Sequence, residues 1–171
     1  MVRAMLLAAA AAITGSVSGA PLTAGAPPPA VRVSSWGWPL APRPAVARPF
    51  RAPPTPWSAG HRGVDLTGRV GQPVLAAGAG RVAFAGLVAG RGVVVVSHPG
   101  GLRTSYEPVD RRSLVGTPVR VGTPIGVVGA QVGHCVPRTC LHWGLRRGET
   151  YLDPLTLVGG GPLVLLPISL R

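Results

Sequence analysis

A chain of 171 residues has room for one compact domain plus appendages, and its 25 glycines and 20 prolines favour short strands and tight turns over long helices. The formal net charge is +12, carried by 17 arginines and no lysine against five acids. The arginines are scattered, with no basic stripe interleaved with aromatics, which argues against nucleic acid as a partner and leaves an anionic cell envelope as the compatible polyanion.

The chain opens like a secretory signal. Arg3 precedes an apolar run over residues 4–13, and small residues follow to Ser18-Gly19-Ala20, the three-region layout of an export leader with its cleavage site. The run is too short to span a bilayer, and no cysteine near the cleavage region offers a lipid anchor. Residues 1–20 are read as signal peptide, and the mature protein is expected outside the cytoplasm (extracellular, wall-associated or periplasmic) and not membrane-spanning. Residues 21–35 are rich in Pro, Ala and Gly with little to bury, as in a linker. A domain is expected over residues 36–158, beginning near Trp36-Gly37-Trp38-Pro39-Leu40, and the proline-dense residues 41–58 read as irregular edge structure.

From Val64 onward the pattern is strand and turn. Apolar strands are expected at 73–77 and 81–85, separated by glycines. The run 93–96 is the most β-prone of the chain, and Ser97-His98-Pro99-Gly100-Gly101 turns it into a return strand over 102–109. Two short strands flank the Gly122-Thr123-Pro124 turn within 119–128, and another covers 141–145. Asp153-Pro154 starts a short helix with Asp153 as N-cap, ending before Gly159. Residues 159–171 form an apolar strand or tail. The fold class expected is all-β, a small antiparallel sheet domain.

Two segments carry chemistry. Gly60-His61-Arg62-Gly63-Val64-Asp65 contains H-x-x-x-D, and Cys140-Leu141-His142-Trp143 places His142 on a strand. Two imidazoles and a carboxylate are the three-ligand set that catalytic zinc uses, leaving one position open. A straight strand would hold residues 61 and 65 about 13 Å apart, so Gly60 and Gly63 are expected to turn the backbone. The only cysteines are Cys135 and Cys140. In an oxidising compartment they suit a disulfide. Cys140 is open to two other roles, a fourth metal ligand or a catalytic thiolate.

These residues resemble a known family. Residues 60–66, then Gly71-Gln72-Pro73-Val74, Gly80-Arg81-Val82, Ala85-Gly86, residues 93–101, Tyr106, Val121-Gly122, Ile125-Gly126, Leu141-His142-Trp143 and Tyr151-Leu152-Asp153-Pro154-Leu155 follow in order the core of the lysostaphin/LytM-type peptidoglycan endopeptidases. The resemblance spans roughly residues 50–158. It implies an antiparallel β-fold with a short C-terminal helix, a zinc ion held by His61, Asp65 and His142, and peptide cross-links of bacterial peptidoglycan as substrate. Two departures stand out. The first histidine of the family's H-x-H falls at Cys140, and the histidine of its Y-x-H-L pattern falls at Pro108. Glu107, beside the second, becomes the candidate general base, with a solvated edge residue as the alternative. Degenerate members serve as activators, so a non-catalytic module binding the cell wall or regulating another wall hydrolase is the competing expectation. His134 offers a catalytic or supporting contact or sits in a surface loop. His98 reads as structural. Tyr106 orients substrate or fills the core, and Arg146 and Arg147 border the groove or are solvated charges.

Overall fold

The computed structural model describes residues 36–55, 57–131 and 135–159. The expected signal peptide (1–20), the linker (21–35), His134 and all but Gly159 of the expected C-terminal tail (159–171) lie outside the described residues.

Strands dominate, as the glycine and proline content requires. In chain order they are β1 (Val46–Arg48), β2 (Gly63–Thr67), β3 (Pro73–Leu75), β4 (Gly80–Val88), β5 (Arg91–Ser97), β6 (Leu102–Glu107), β7 (Val109–Asp110), β8 (Pro118–Val119), β9 (Pro124–Val128), β10 (Cys140–Arg147) and β11 (Thr150–Leu152). All named pairings are antiparallel. The large sheet runs β1-β2-β10-β6-β5-β4-β8, with β11 also paired to β10, and the small sheet runs β3-β9-β7.

The large sheet's two faces differ in kind, and β10 shows why. In Cys140–Arg147 alternate side chains point to opposite sides. Leu141, Trp143 and Leu145 are buried on one side, joined by Val64 and Leu66 of β2, Tyr106 of β6 and Val94 and Val96 of β5. Apart from Leu145, this set forms a single hydrophobic cluster with Val74, Val109, Ile125 and Val128 from the small sheet. Cys140, His142 and Gly144 point to the other side. The core thus anchors the strands whose opposite faces carry the polar residues.

Several expected elements acquire sharper limits. The return strand breaks at Pro108, which has no N–H to donate to a ladder. The chain leaves the large sheet there and continues as β7 in the small one. The two strands around Gly122-Thr123-Pro124 also part company, β8 joining β4 and β9 lying between β3 and β7. The proline-dense segment is edge structure: β1 lies at the margin of the large sheet, beside β2. The C-terminal helix is a 3-10 turn over Pro154–Val158, in which Asp153 accepts the Leu155 N–H at 2.9 Å and Gly159 closes the end at φ 69°.

Beneath the β5–β6 hairpin lies a buried polar chain with fixed ends. His98 Nδ1 is 2.8 Å from the Ala79 carbonyl, which can only accept, so this nitrogen carries the proton. His98 Nε2 therefore accepts from the Thr104 hydroxyl (2.7 Å), which accepts from the Tyr106 hydroxyl (2.8 Å), which accepts from the Ala77 N–H (2.9 Å). Burial lowers the pKa of His98, opposed by its bond to Ala79. Burial pushes the Tyr106 phenol up to about 12. Both groups are held neutral and serve structure. Tyr106 is fully buried in the core and is not available to orient a substrate.

Candidate metal centre

His61, Asp65 and His142 converge although they come from two separate segments. Asp65 and His142 are directly opposed in the β2–β10 ladder, so their side chains leave the sheet on the same side. His142 Nδ1 lies 2.8 Å from Asp65 Oδ1. His61 precedes β2 and is pinned by a two-bond backbone bridge to Arg51, with N···O distances of 3.0 and 2.8 Å. The bend between this bridge and β2 brings His61 Nε2 to 3.1 Å from Asp65 Oδ1 and 3.2 Å from His142 Nδ1.

Gly60 and Gly63 matter here for space and not, as expected, for turning the backbone. Neither Gly60 nor Gly63 has a left-handed backbone. Both are places where no side chain fits. A Cβ on Gly63 would collide with the Trp143 carbonyl oxygen and stand 2.7 Å from His142 Nε2. A Cβ on Gly60 would stand 2.9 Å from the Arg51 carbonyl oxygen and from the Pro53 backbone.

The donor chemistry fits a metal cation. His61 Nδ1 is 2.7 Å from the Pro49 carbonyl oxygen, so in the neutral ring it holds the proton and Nε2 presents its lone pair. That lone pair, the His142 Nδ1 position and a carboxylate oxygen of the fully buried Asp65 share one small space. A buried carboxylate is costly without a positive partner, and three converging donors are satisfied together by a cation at their centre. The carbonyl contact behind His61 is the support that metal-binding imidazoles commonly have. The residues present therefore fit zinc, whose ligands are drawn from imidazole and carboxylate.

Glu107 is directly opposed to His142 on the other flank of β10. This resolves its direction: it projects from the sheet on the same side as His142 and Asp65. Its Oε2 is 3.2 Å from Arg91 Nε, both side chains being partly exposed. Arg91 had no distinguishing mark in the sequence and is brought here by the β5–β6 pairing. Ser105, likewise unmarked in the sequence, is set opposite Gly144 by the β6–β10 pairing, and its hydroxyl occupies the space a Cβ on Gly144 would take.

Cys140 is bonded to Cys135, so of its three expected roles the disulfide is the one found. The cystine lies on the ligand side of β10, and both sulfurs are within 4.8 Å of an Asp65 carboxylate oxygen. Pro108 stands where the Y-x-H-L histidine would be and supplies no titratable group. Arg146 projects to the same side as His142 four ladder positions away, with its Nη1 3.8 Å from Glu149 Oε2. Arg147 is exposed on the alternate side.

Comparison with known proteins converges on one family. A family model described as peptidase family M23 matches residues 59–154. An uncharacterized protein of Mycobacterium tuberculosis (strain H37Rv) is 52% identical over 149 residues, covering 85% of this chain. The chain spans about 60% of that relative's length. Among solved structures, a zinc-containing peptidase from Vibrio cholerae superposes with TM-score 0.58 at 22% identity, covering 69% of this chain and 38% of its own. The catalytic domain of the antimicrobial peptidase lysostaphin from Staphylococcus simulans also gives TM-score 0.58 at 22% identity, covering 68% of this chain and 92% of its own. At these identities the two structures speak for the fold, which is that of the LytM/lysostaphin type.

Proposed function

The chain belongs to peptidase family M23, and from that membership we propose that it is an exported, zinc-dependent peptidase-like protein acting on the peptide cross-links of peptidoglycan. Residues 36–158 make up its working domain, preceded by a cleaved signal and a linker. The observation that carries the reading is the convergence of His61 Nε2, His142 Nδ1 and Asp65 Oδ1 within 2.8 to 3.2 Å of one another, with the His61 tautomer set by the Pro49 carbonyl.

In this reading His61, Asp65 and His142 hold the ion. Bound zinc supplies Lewis acidity and lowers the pKa of water toward neutrality. The chain's own groups supply the remainder. The Pro49 carbonyl fixes the His61 imidazole against rotation. Gly63 and Gly144 leave room for the His142 ring and the Ser105 hydroxyl to pack against their strands. Glu107 accepts the proton released when water attacks the scissile carbonyl, and Arg91 orients its carboxylate.

A second reading rests on a specific observation. The positions of the family's two auxiliary histidines hold a proline and a half-cystine, neither able to carry a proton, and Glu107 is already engaged by Arg91. A non-catalytic module that binds wall peptide or regulates another wall hydrolase needs none of that machinery.

Zinc content of the mature protein, measured with digestion of cross-linked peptidoglycan and a His142→Ala control, separates the readings. One zinc with hydrolysis that the control loses supports the enzyme. One zinc without hydrolysis supports the binding module. Absence of zinc overturns the metal reading and leaves the fold alone.

A further inference from the structure

Asp65 belongs to two ligand groups. Its carboxylate shares one with His61 and His142 and another with the sulfurs of Cys135 and Cys140, all donors in each group lying within 4.8 Å of one another. Cys140 and His142 alternate on β10 and face the same side, opposed to Thr67 and Asp65 respectively. The disulfide therefore adjoins the metal centre on its Asp65 side. Its two halves differ in access: Cys140 is buried, at 5% exposed, whereas Cys135 is partly exposed.

We propose that the Cys135–Cys140 disulfide is a coordination switch, and that its reduction by a dithiol turns Cys140 into a fourth ligand of the ion held by His61, Asp65 and His142. This rests on the metal reading of that site. An incoming thiolate reaches the more exposed Cys135 sulfur and forms a mixed disulfide, and Cys140 leaves as thiolate beside Asp65. The second thiol of the reductant then attacks the mixed disulfide and releases Cys135, which takes up a proton. The dithiol departs as a disulfide, having supplied both electrons.

A cysteine ligates only as thiolate and the ion supplies the positive charge that holds it there, so capture of Cys140 is coupled to metal. The consequence follows from coordination number. Three protein ligands leave zinc a position for water or substrate, whereas four protein ligands make the closed set of structural sites. The oxidised protein has an open centre and the reduced protein a closed one.

Cobalt(II) tests this with a readout independent of hydrolysis. The full chain is titrated oxidised, and again after reduction by a phosphine removed under anaerobic conditions. The oxidised protein should take one cobalt with no sulfur-to-cobalt charge-transfer band. The reduced protein should show that band and hold cobalt at least about tenfold more tightly against a chelator, since a direct ligand should contribute no less than the supporting contacts that give 10–100-fold. Cys135→Ser should behave as the reduced protein without any reductant, and Cys140→Ser should show no band in either state. No band from either the reduced protein or Cys135→Ser overturns the switch, as does a band that survives in Cys140→Ser. Failure of even the oxidised protein to bind cobalt overturns the metal reading on which the switch depends, a result distinct from cobalt bound without sulfur.

Discussion

Replacing Gly63 by alanine should damage the ligand set without touching a ligand. Gly63 is opposed to Gly144 in the β2–β10 ladder, two positions from the Asp65–His142 pair and on the same side. The added Cβ would collide with the Trp143 carbonyl oxygen and stand 2.7 and 2.8 Å from His142 Nε2 and Cε1. The carbonyl belongs to a central strand paired on both flanks, so it withdraws only by opening the ladder. The ring withdraws only by moving Nδ1 from its 2.8 Å contact with Asp65. Overpacking of this kind costs about 1–3 kcal/mol, and misdirecting one ligand should weaken metal binding by roughly 10–100-fold. Urea unfolding should show a lower midpoint at constant slope, and chelator competition should show the affinity loss. Gly144→Ala is the graded control. Its Cβ meets the Ser105 hydroxyl, the end of a side chain that can turn, and the Arg62 carbonyl only at 3.4 Å. Gly71→Ala is the second control: its Cβ meets open space but φ is +79°, so it should lose about 1 kcal/mol with metal affinity intact. A Gly63→Ala protein as stable as Gly144→Ala and as tight for metal as the parent would refute the reasoning.

Thr104→Val should leave His98 Nε2 without its donor and the Tyr106 O–H without its acceptor, and cost about 1–3 kcal/mol, read as a lower urea midpoint. On the alkaline side, the Tyr106 pKa is raised from 10.0 to about 12 by burial, so its stabilisation is complete below pH 10 and lost as pH rises toward 12. At about 1.4 kcal/mol per unit the loss is roughly 3 kcal/mol, and Tyr106→Phe should flatten that arm of the stability–pH curve. On the acid side, burial lowers the His98 pKa below 6.5. The unfolded chain takes up that proton first, so stability should decline as pH falls below 6.5, and comparison with His98→Gln isolates this contribution from the metal-site imidazoles. If the protein hydrolyses peptidoglycan, Glu107→Gln should lower kcat by about 10²–10⁴ with zinc content unchanged, whereas an unaltered kcat would remove Glu107 as base.

Much of the fold was legible because its signals are local. Alternation in Leu141, Trp143 and Leu145 announces a half-buried strand wherever it is placed, and the Asp153-Pro154 pair caps a helical turn using only its neighbours. The candidate ligands were legible for a different reason: imidazole and carboxylate side chains in H-x-x-x-D, with a strand-borne His142, match a family pattern in order. The strand ends were less legible, since Pro108 sends one expected strand into two different sheets.

Chain order alone determined the antiparallel β class, the three metal-binding candidates, the cysteine pair and the vacancy of both auxiliary histidine positions. It did not determine distances between segments far apart in sequence, because those depend on ladder register, and a shift of one residue reverses every side chain. Register is what set Glu107 beside His142 and on the side of Asp65, brought Arg91 to its carboxylate and made Gly63 a place where only a hydrogen fits. The Pro49 carbonyl that fixes the His61 tautomer is a backbone atom, and no side-chain pattern could have announced it. The cystine was predictable as a bond, but its position against Asp65 followed only when β2 and β10 paired.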